Sequence, residues 1–215
     1  MKKDRGKFIT FEGIDGCGKS TQAKRLLLHL NKIGIPALLT LEPGGTKIGS
    51  YIRRILLDPK NKDISELTEL FLYLADRSQH LKEVIEPSLR KGVWVISDRF
   101  YDATLAYQGF GRGISKDFIL MLNDKICGNI KPDVTFLLDC PVEIAMKRRS
   151  KREFDQNQLR FEQESISFHE RVRKGYLWIA EQFRERVVLV DATLSVEDIE
   201  SFVFNKIKQF LESGA

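Results

Sequence analysis

The sequence of 215 residues has only three cysteines, six prolines and two tryptophans, and no apolar run approaches the length of a membrane span. Cys17, Cys127 and Cys140 are odd in number and too widely spaced for a zinc pattern, which argues against a disulfide scaffold and points to a reducing compartment. A strong excess of one charge is lacking too. The 35 basic residues against 30 acidic ones leave a formal charge of +5 spread along the chain, which an anionic small substrate explains as well as nucleic acid does. Internal repeats, low-complexity tracts and domain-dividing linkers are missing, so one domain over residues 1–215 is expected. Met1 to Arg5 is charged, but the apolar stretch behind it ends at Glu12, too short for a signal peptide; a cytoplasmic protein without membrane association is the expectation. With 42% hydrophobic and 30% charged residues, the composition is that of a globular protein able to bury a sizeable core.

What the chain does have is the octapeptide Gly13-Ile14-Asp15-Gly16-Cys17-Gly18-Lys19-Ser20, which fits G-x-x-x-x-G-K-[ST]. Phe8 to Phe11 before it is apolar and β-prone, and Thr21 to Lys32 after it carries leucines at helical spacing, the strand-turn-helix context the motif requires. A triphosphate would lie on backbone N–H groups at a helix N-terminus, where orphan donors and the helix dipole favour an anion. Lys19 would reach the β/γ-phosphates, and the Ser20 hydroxyl would ligate Mg²⁺. Cys17 sits where a helix N-terminus tends to lower a thiol pKa, although a buried filler is the plainer role.

Further β-rich runs at Ala37 to Leu41, Val93 to Ile96, Val134 to Leu138 and Val187 to Val190 alternate with helical patterns. The alternation predicts a doubly wound α/β fold with a parallel sheet of about five strands and helices on both faces. Ser65 to Arg90 reads as one long helical pattern after a polar turn at Asp58 to Lys62, and Gly109 to Gly113 reads as a glycine-rich loop. Ligands in such sheets bind beyond the carboxyl ends of the strands, where the phosphate loop, Glu42-Pro43-Gly44-Gly45-Thr46 and Asp98-Arg99 all fall. Asp98 occupies a place suited to Mg²⁺ or its waters, and Arg99 suits a phosphate. Tyr73 and Arg77, four apart, put a ring and a guanidinium on one helix face, suited to a base, though Tyr73 also fits a core. The basic run Lys147 to Arg152 continues a helix after Pro141 and leads into a polar stretch, a solvated face or else a lid able to bring an arginine to a migrating phosphoryl group.

Taken together these residues resemble the bacterial thymidylate (dTMP) kinases over nearly the whole chain. The blocks that carry the resemblance are Phe11 to Gln22, Glu42 to Thr46, Ala75-Asp76-Arg77, Asp98-Arg99-Phe100, Ala106-Tyr107-Gln108-Gly109, Pro132-Asp133 and Arg173-Lys174-Gly175-Tyr176. The resemblance implies a P-loop nucleoside monophosphate kinase with a small lid at about 148–160, moving the ATP γ-phosphoryl group to dTMP to give dTDP for dTTP synthesis. ATP and Mg²⁺ are the implied cofactors, dTMP the substrate, a second copy of the chain the partner, and nucleic acid no partner. Gly13, Ile14, Asp15, Gly16, Cys17, Gly18, Lys19, Ser20 and Thr21 would hold ATP; Ser20 and Asp98 the metal. Glu42, Pro43, Tyr73, Arg77, Arg99, Thr104, Tyr107 and Gln108 would bind the acceptor, with Tyr107 disfavouring a 2′-hydroxyl and Asp15 holding the 3′-hydroxyl. Lys19, Asp15 and Arg99 are the implied catalytic groups, joined by a lid arginine because Gly16 stands where another type of the family has arginine; Arg148, Arg149 and Arg152 are the candidates. Tyr73 stands for a more usual Phe, Leu41 for Arg, Ala103 for Ser and Leu159 for Asp. Tyr73 and Ala103 leave another pyrimidine acceptor open, and a P-loop switch without kinase activity is the alternative from another class.

Overall fold

The computed structural model describes residues 5–150 and 160–212. Five parallel strands, β1 (Phe8–Glu12), β2 (Ala37–Leu41), β3 (Trp94–Asp98), β4 (Val134–Asp139) and β5 (Val187–Asp191), form one sheet in the order β2-β3-β1-β4-β5. Each strand run read from the sequence is present. The central β1 is buried throughout, as an apolar run without alternation requires, whereas the edge strands β2 and β5 leave Leu41 and Leu189 exposed.

Helices α1 (Lys19–Lys32), α2 (Lys47–Leu57), α3 (Glu66–His80), α4 (Glu86–Arg90), α5 (Tyr101–Thr104), α6 (Lys116–Cys127), α7 (Val142–Arg149), α8 (Ile166–Gln182) and α9 (Val196–Glu212) surround the sheet. Side chains alternate along a strand, so the two faces bury different partners. Ile9 and Ile96 pack with Ala23, Leu26 and Leu30 of α1 and with Ile199, Val203 and Ile207 of α9. Phe8 and Val95 pack with Leu81, Ile85 and Leu89 in a second cluster. Among the described residues no helix is long and apolar enough to cross a membrane.

Two expectations need correction. The pattern from Ser65 to Arg90 is not one uniform helix: α3, capped by the Ser65 hydroxyl, passes through a π turn at Leu81–Ile85 into α4, with Pro87 in the first turn of α4. Proline lacks the N–H an uninterrupted helix would use, and the wider turn absorbs that loss. Gly109 to Gly113 is not simply a loop, because Leu105–Gly111 forms a second π segment. Gly111 serves packing, since a Cβ there would lie 2.8 Å from the Phe168 ring of α8, and Gly175 of α8 in turn makes room for Phe110, a Cβ on it lying 2.8 Å from that ring. Only Gly113, at φ 85, turns the chain as a loop glycine does.

Candidate active site

β1, β2 and β3 end side by side, with Phe11 and Leu41 both in register with Asp98, and the segments that follow them enclose a cavity of about 320 Å³. The loop from Gly13 to Gly18 joins β1 to α1 with φ of 134° at Gly13, 91° at Gly16 and 105° at Gly18, a left-handed path that glycine alone follows readily. Gly16 is constrained twice, since a Cβ there would collide with the Ala145 carbonyl of α7. Gly16, Gly18, Lys19 and Ser20 line the cavity, at the N-terminus of α1. Lys19 Nζ donates to the Ile14 carbonyl at 2.9 Å and lies 3.9 Å from Asp15 Oδ1. Ile14 and Cys17 bury their side chains behind the loop, and the Thr21 N–H donates to the Gly18 carbonyl at 3.1 Å. Cys17 departs from the expected low pKa: burial raises its thiol, and the nearby Lys19 charge does not overcome that.

Asp98 is the last residue of β3 rather than the first beyond it, and its Oδ2 accepts a hydrogen bond from the Ser20 hydroxyl. These two hard oxygens at the cavity wall suit a divalent cation that takes its other ligands from phosphate and water. Among the described residues no cluster of three or more His, Cys, Asp or Glu is placed to hold a metal.

Arg99 follows with φ 74. Its Nη1 donates to the Gly13 carbonyl at 2.8 Å and to the Tyr176 hydroxyl at 3.0 Å, and its Nη2 to Asp15 Oδ1 at 2.7 Å and the Tyr107 hydroxyl at 3.1 Å. The Tyr107 hydroxyl donates to Asp15 Oδ2 at 3.3 Å. Burial works to raise the Asp15 carboxyl, but the charges of Arg99 and Lys19 outweigh it and hold the group well below its ordinary range. Burial raises the Tyr107 and Tyr176 phenols far enough that both keep their protons as donors. Asp15, Arg99 and Tyr107 thus form a fixed triangle between the phosphate loop and the rest of the cavity.

Arg77 is buried deep in the wall, on the same side of α3 as Tyr73, and both line the cavity. It donates to Glu42 Oε2 at 3.0 Å, Asn123 Oδ1 at 2.9 Å, the Phe100 carbonyl at 3.2 Å and Thr104 Oγ1 at 2.9 Å. A guanidinium has five N–H bonds, so one Nη1 hydrogen is left without a partner among the described residues. Glu42 Oε1 meets His80 Nδ1 at 2.9 Å, and the Glu42–Pro43 peptide is cis. Gln108 is tied to Glu69 at 2.9 Å. Tyr73 lines the cavity with its ring 6.5 Å from that of Phe161.

Sequence reasoning missed Phe161, which comes from the 3₁₀ turn Arg160–Gln163 and packs edge-on to Tyr107 at 5.7 Å. It also missed Arg53 of α2, which lines the cavity and donates to the Pro43 carbonyl at 2.8 Å. Neither belongs to a motif. The candidate lid arginines separate. Arg149 lines the cavity, whereas Arg148 turns away and donates to the Ala192 carbonyl at 2.5 Å. Arg152, with most of the expected lid at 148–160, lies outside the described residues.

A family model described as thymidylate kinase matches residues 11–203. The thymidylate kinase of Trichlorobacter lovleyi is 49% identical over 203 residues, covering 93% of this chain and 96% of that protein. That of Geotalea uraniireducens is 44% identical over 212 residues, covering 97% and 100%. The crystal structure of thymidylate kinase from Ehrlichia chaffeensis superposes with a TM-score of 0.77 at 33% identity, covering 95% of this chain and 99% of that one.

Proposed function

Because the chain belongs to the thymidylate kinase family and is an ATP-dependent kinase that phosphorylates dTMP, we propose that this cavity is where the γ-phosphoryl group passes to the dTMP phosphate. The observation that carries the reading is the triangle of Asp15, Arg99 and Tyr107, which joins a phosphate loop to a second, nucleoside-sized space.

The ATP phosphates would lie on the backbone of Gly13 to Thr21, with Lys19 released from the Ile14 carbonyl to meet the β- and γ-oxygens. Ser20 and Asp98 would hold Mg²⁺, which when bound offsets the charge of the phosphate oxygens. Arg99 would hold the acceptor phosphate, leaving Asp15 for the 3′-hydroxyl and Tyr107 to fill the space beside the 2′-carbon. Tyr73 and Phe161 would flank the base, Arg77 would reach its edge, and Glu42, Pro43, Thr104 and Gln108 would complete the wall. Arg149, at the end of α7, is the lid arginine best placed to meet the migrating group, whose charge spreads over its equatorial oxygens. Two anionic phosphates must approach closely, so positioning and compensating charge supply most of the rate.

The same reading includes a homodimer and a cytoplasmic location. Exposed Ile48, Tyr51 and Ile55 on α2, beside exposed Leu67 and Phe71 on α3, support the dimer. The three free thiols suit a reducing compartment.

ATP consumption measured against dTMP, dUMP, UMP, dCMP, dGMP and no acceptor, with products identified, tests the site. Selective dTDP formation that Arg99→Lys and Asp15→Asn abolish is the expected result; a dTMP-dependent rate indifferent to both substitutions would move the site elsewhere.

A further inference from the structure

Glu12 ends β1 fully buried, and no step above uses it. Its Oε1 accepts the Phe100 N–H at 2.7 Å, and its Oε2 accepts the Tyr176 hydroxyl at 2.9 Å. Both partners bear on Arg99. Phe100 is the next residue in the chain, and the Tyr176 oxygen accepts from Arg99 Nη1 at 3.0 Å. Arg99 is the one non-glycine residue with positive φ among those described, a conformation that an arginine keeps only where its surroundings impose it. Its own N–H donates to the Phe11 carbonyl at 3.0 Å, and the Ser97 hydroxyl donates to its carbonyl at 2.7 Å, so the turn is pinned on both sides.

We propose that Glu12 is a positioning residue: through the Phe100 amide it fixes the left-handed turn of Arg99, and through the Tyr176 hydroxyl it fixes the guanidinium, and so it sets where the acceptor phosphate is held. A carboxylate suits the task because both its oxygens accept. An amide in its place would present N–H to Tyr176; the phenol oxygen would then face two donors, Arg99 and the amide, and its own proton would lose its acceptor. Burial first, and the nearby Asp102 second, push the Glu12 carboxyl up to about 8; the geometry is nonetheless that of the carboxylate, since one oxygen faces the Phe100 N–H and the other the hydroxyl of Tyr176, whose own oxygen already accepts from Arg99. The inference rests on the reading of Arg99 as the residue that holds the dTMP phosphate.

The test compares dTMP with thymidine, which lacks the phosphate, by calorimetric titration of the full chain and its Tyr176→Phe, Glu12→Gln and Arg99→Lys variants. Tyr176→Phe and Glu12→Gln are each expected to weaken dTMP about tenfold and to leave thymidine within about twofold, the size of effect of losing one hydrogen bond to a charged partner. Adding Tyr176→Phe to Arg99→Lys should then change dTMP affinity little further. If Arg99→Lys alone leaves dTMP affinity intact, the reading of Arg99 fails. If Arg99→Lys weakens dTMP but Tyr176→Phe does not, or if dTMP and thymidine weaken together, the positioning role is overturned. Tyr176→Phe removes a single oxygen, so it decides the matter even if Glu12→Gln does not fold.

Discussion

Lys19 is buried against its own loop, its ammonium on the Ile14 carbonyl and near Asp15, so its charge is already placed at the point where the phosphates would arrive. Lys19→Ala should lower kcat about 10²–10³-fold, the range seen when one donor to a transition-state charge is removed. The melting temperature should stay close to that of the parent; near-normal turnover would refute the role. Asp76 shows a different kind of strain. It is fully buried, its Oδ1 accepts the Gly44 N–H at 3.0 Å, and its Oδ2 has no partner among the described residues. Burial first, and the adjacent Glu42 second, push its carboxyl up to about 6, against the pull of the Gly44 amide, His80 and Arg77. The folded value exceeds the ordinary 3.8, so the stability it contributes is fully present below that pH and is lost as pH rises through about 6. Asp76→Asn should therefore flatten the fall in melting temperature across that window; superimposable pH profiles of the two proteins would count against it.

At the level of elements, the strands were legible because burial on both faces demands unbroken apolar runs, and those runs stand out from their surroundings. The phosphate loop was legible because its glycines, lysine and serine are dictated by one backbone path. The π segments were not, since an inserted residue leaves the apolar spacing of Leu81 to Leu89 nearly unchanged. Gly109 to Gly113 misled for another reason: composition reveals a glycine but not what presses on it, and here α8 does. Arg53, Phe161 and the buried role of Glu12 depend on partners distant in the chain and carry no local signature. Gly111→Ala should destabilise the fold by about 1–3 kcal/mol through overpacking, less roughly 1 kcal/mol regained from helix propensity. Urea unfolding measures it, and a gain in stability would mean that the Phe168 ring moves aside without loss.

For the molecule as a whole, the cavity and the apolar face of α2 and α3 lie on the same two helices: Arg53 and Tyr73 point inward while Tyr51, Ile55 and Phe71 remain exposed. Phe71→Glu should convert a dimer to monomers in sedimentation velocity, and a parent chain that sediments as a monomer would dispose of the partner assignment. Arg77 connects the segment after β2 with α3, α5 and α6, which leaves its head a single hydrogen without a partner among the described residues. A guanidinium can give a hydrogen bond but never take one. With Arg77 at the base edge, as proposed, a pyrimidine that offers a carbonyl would be answered, whereas one that offers an amino group would set donor against donor, so the contacts that hold the fold together would also tell a keto base from an amino base.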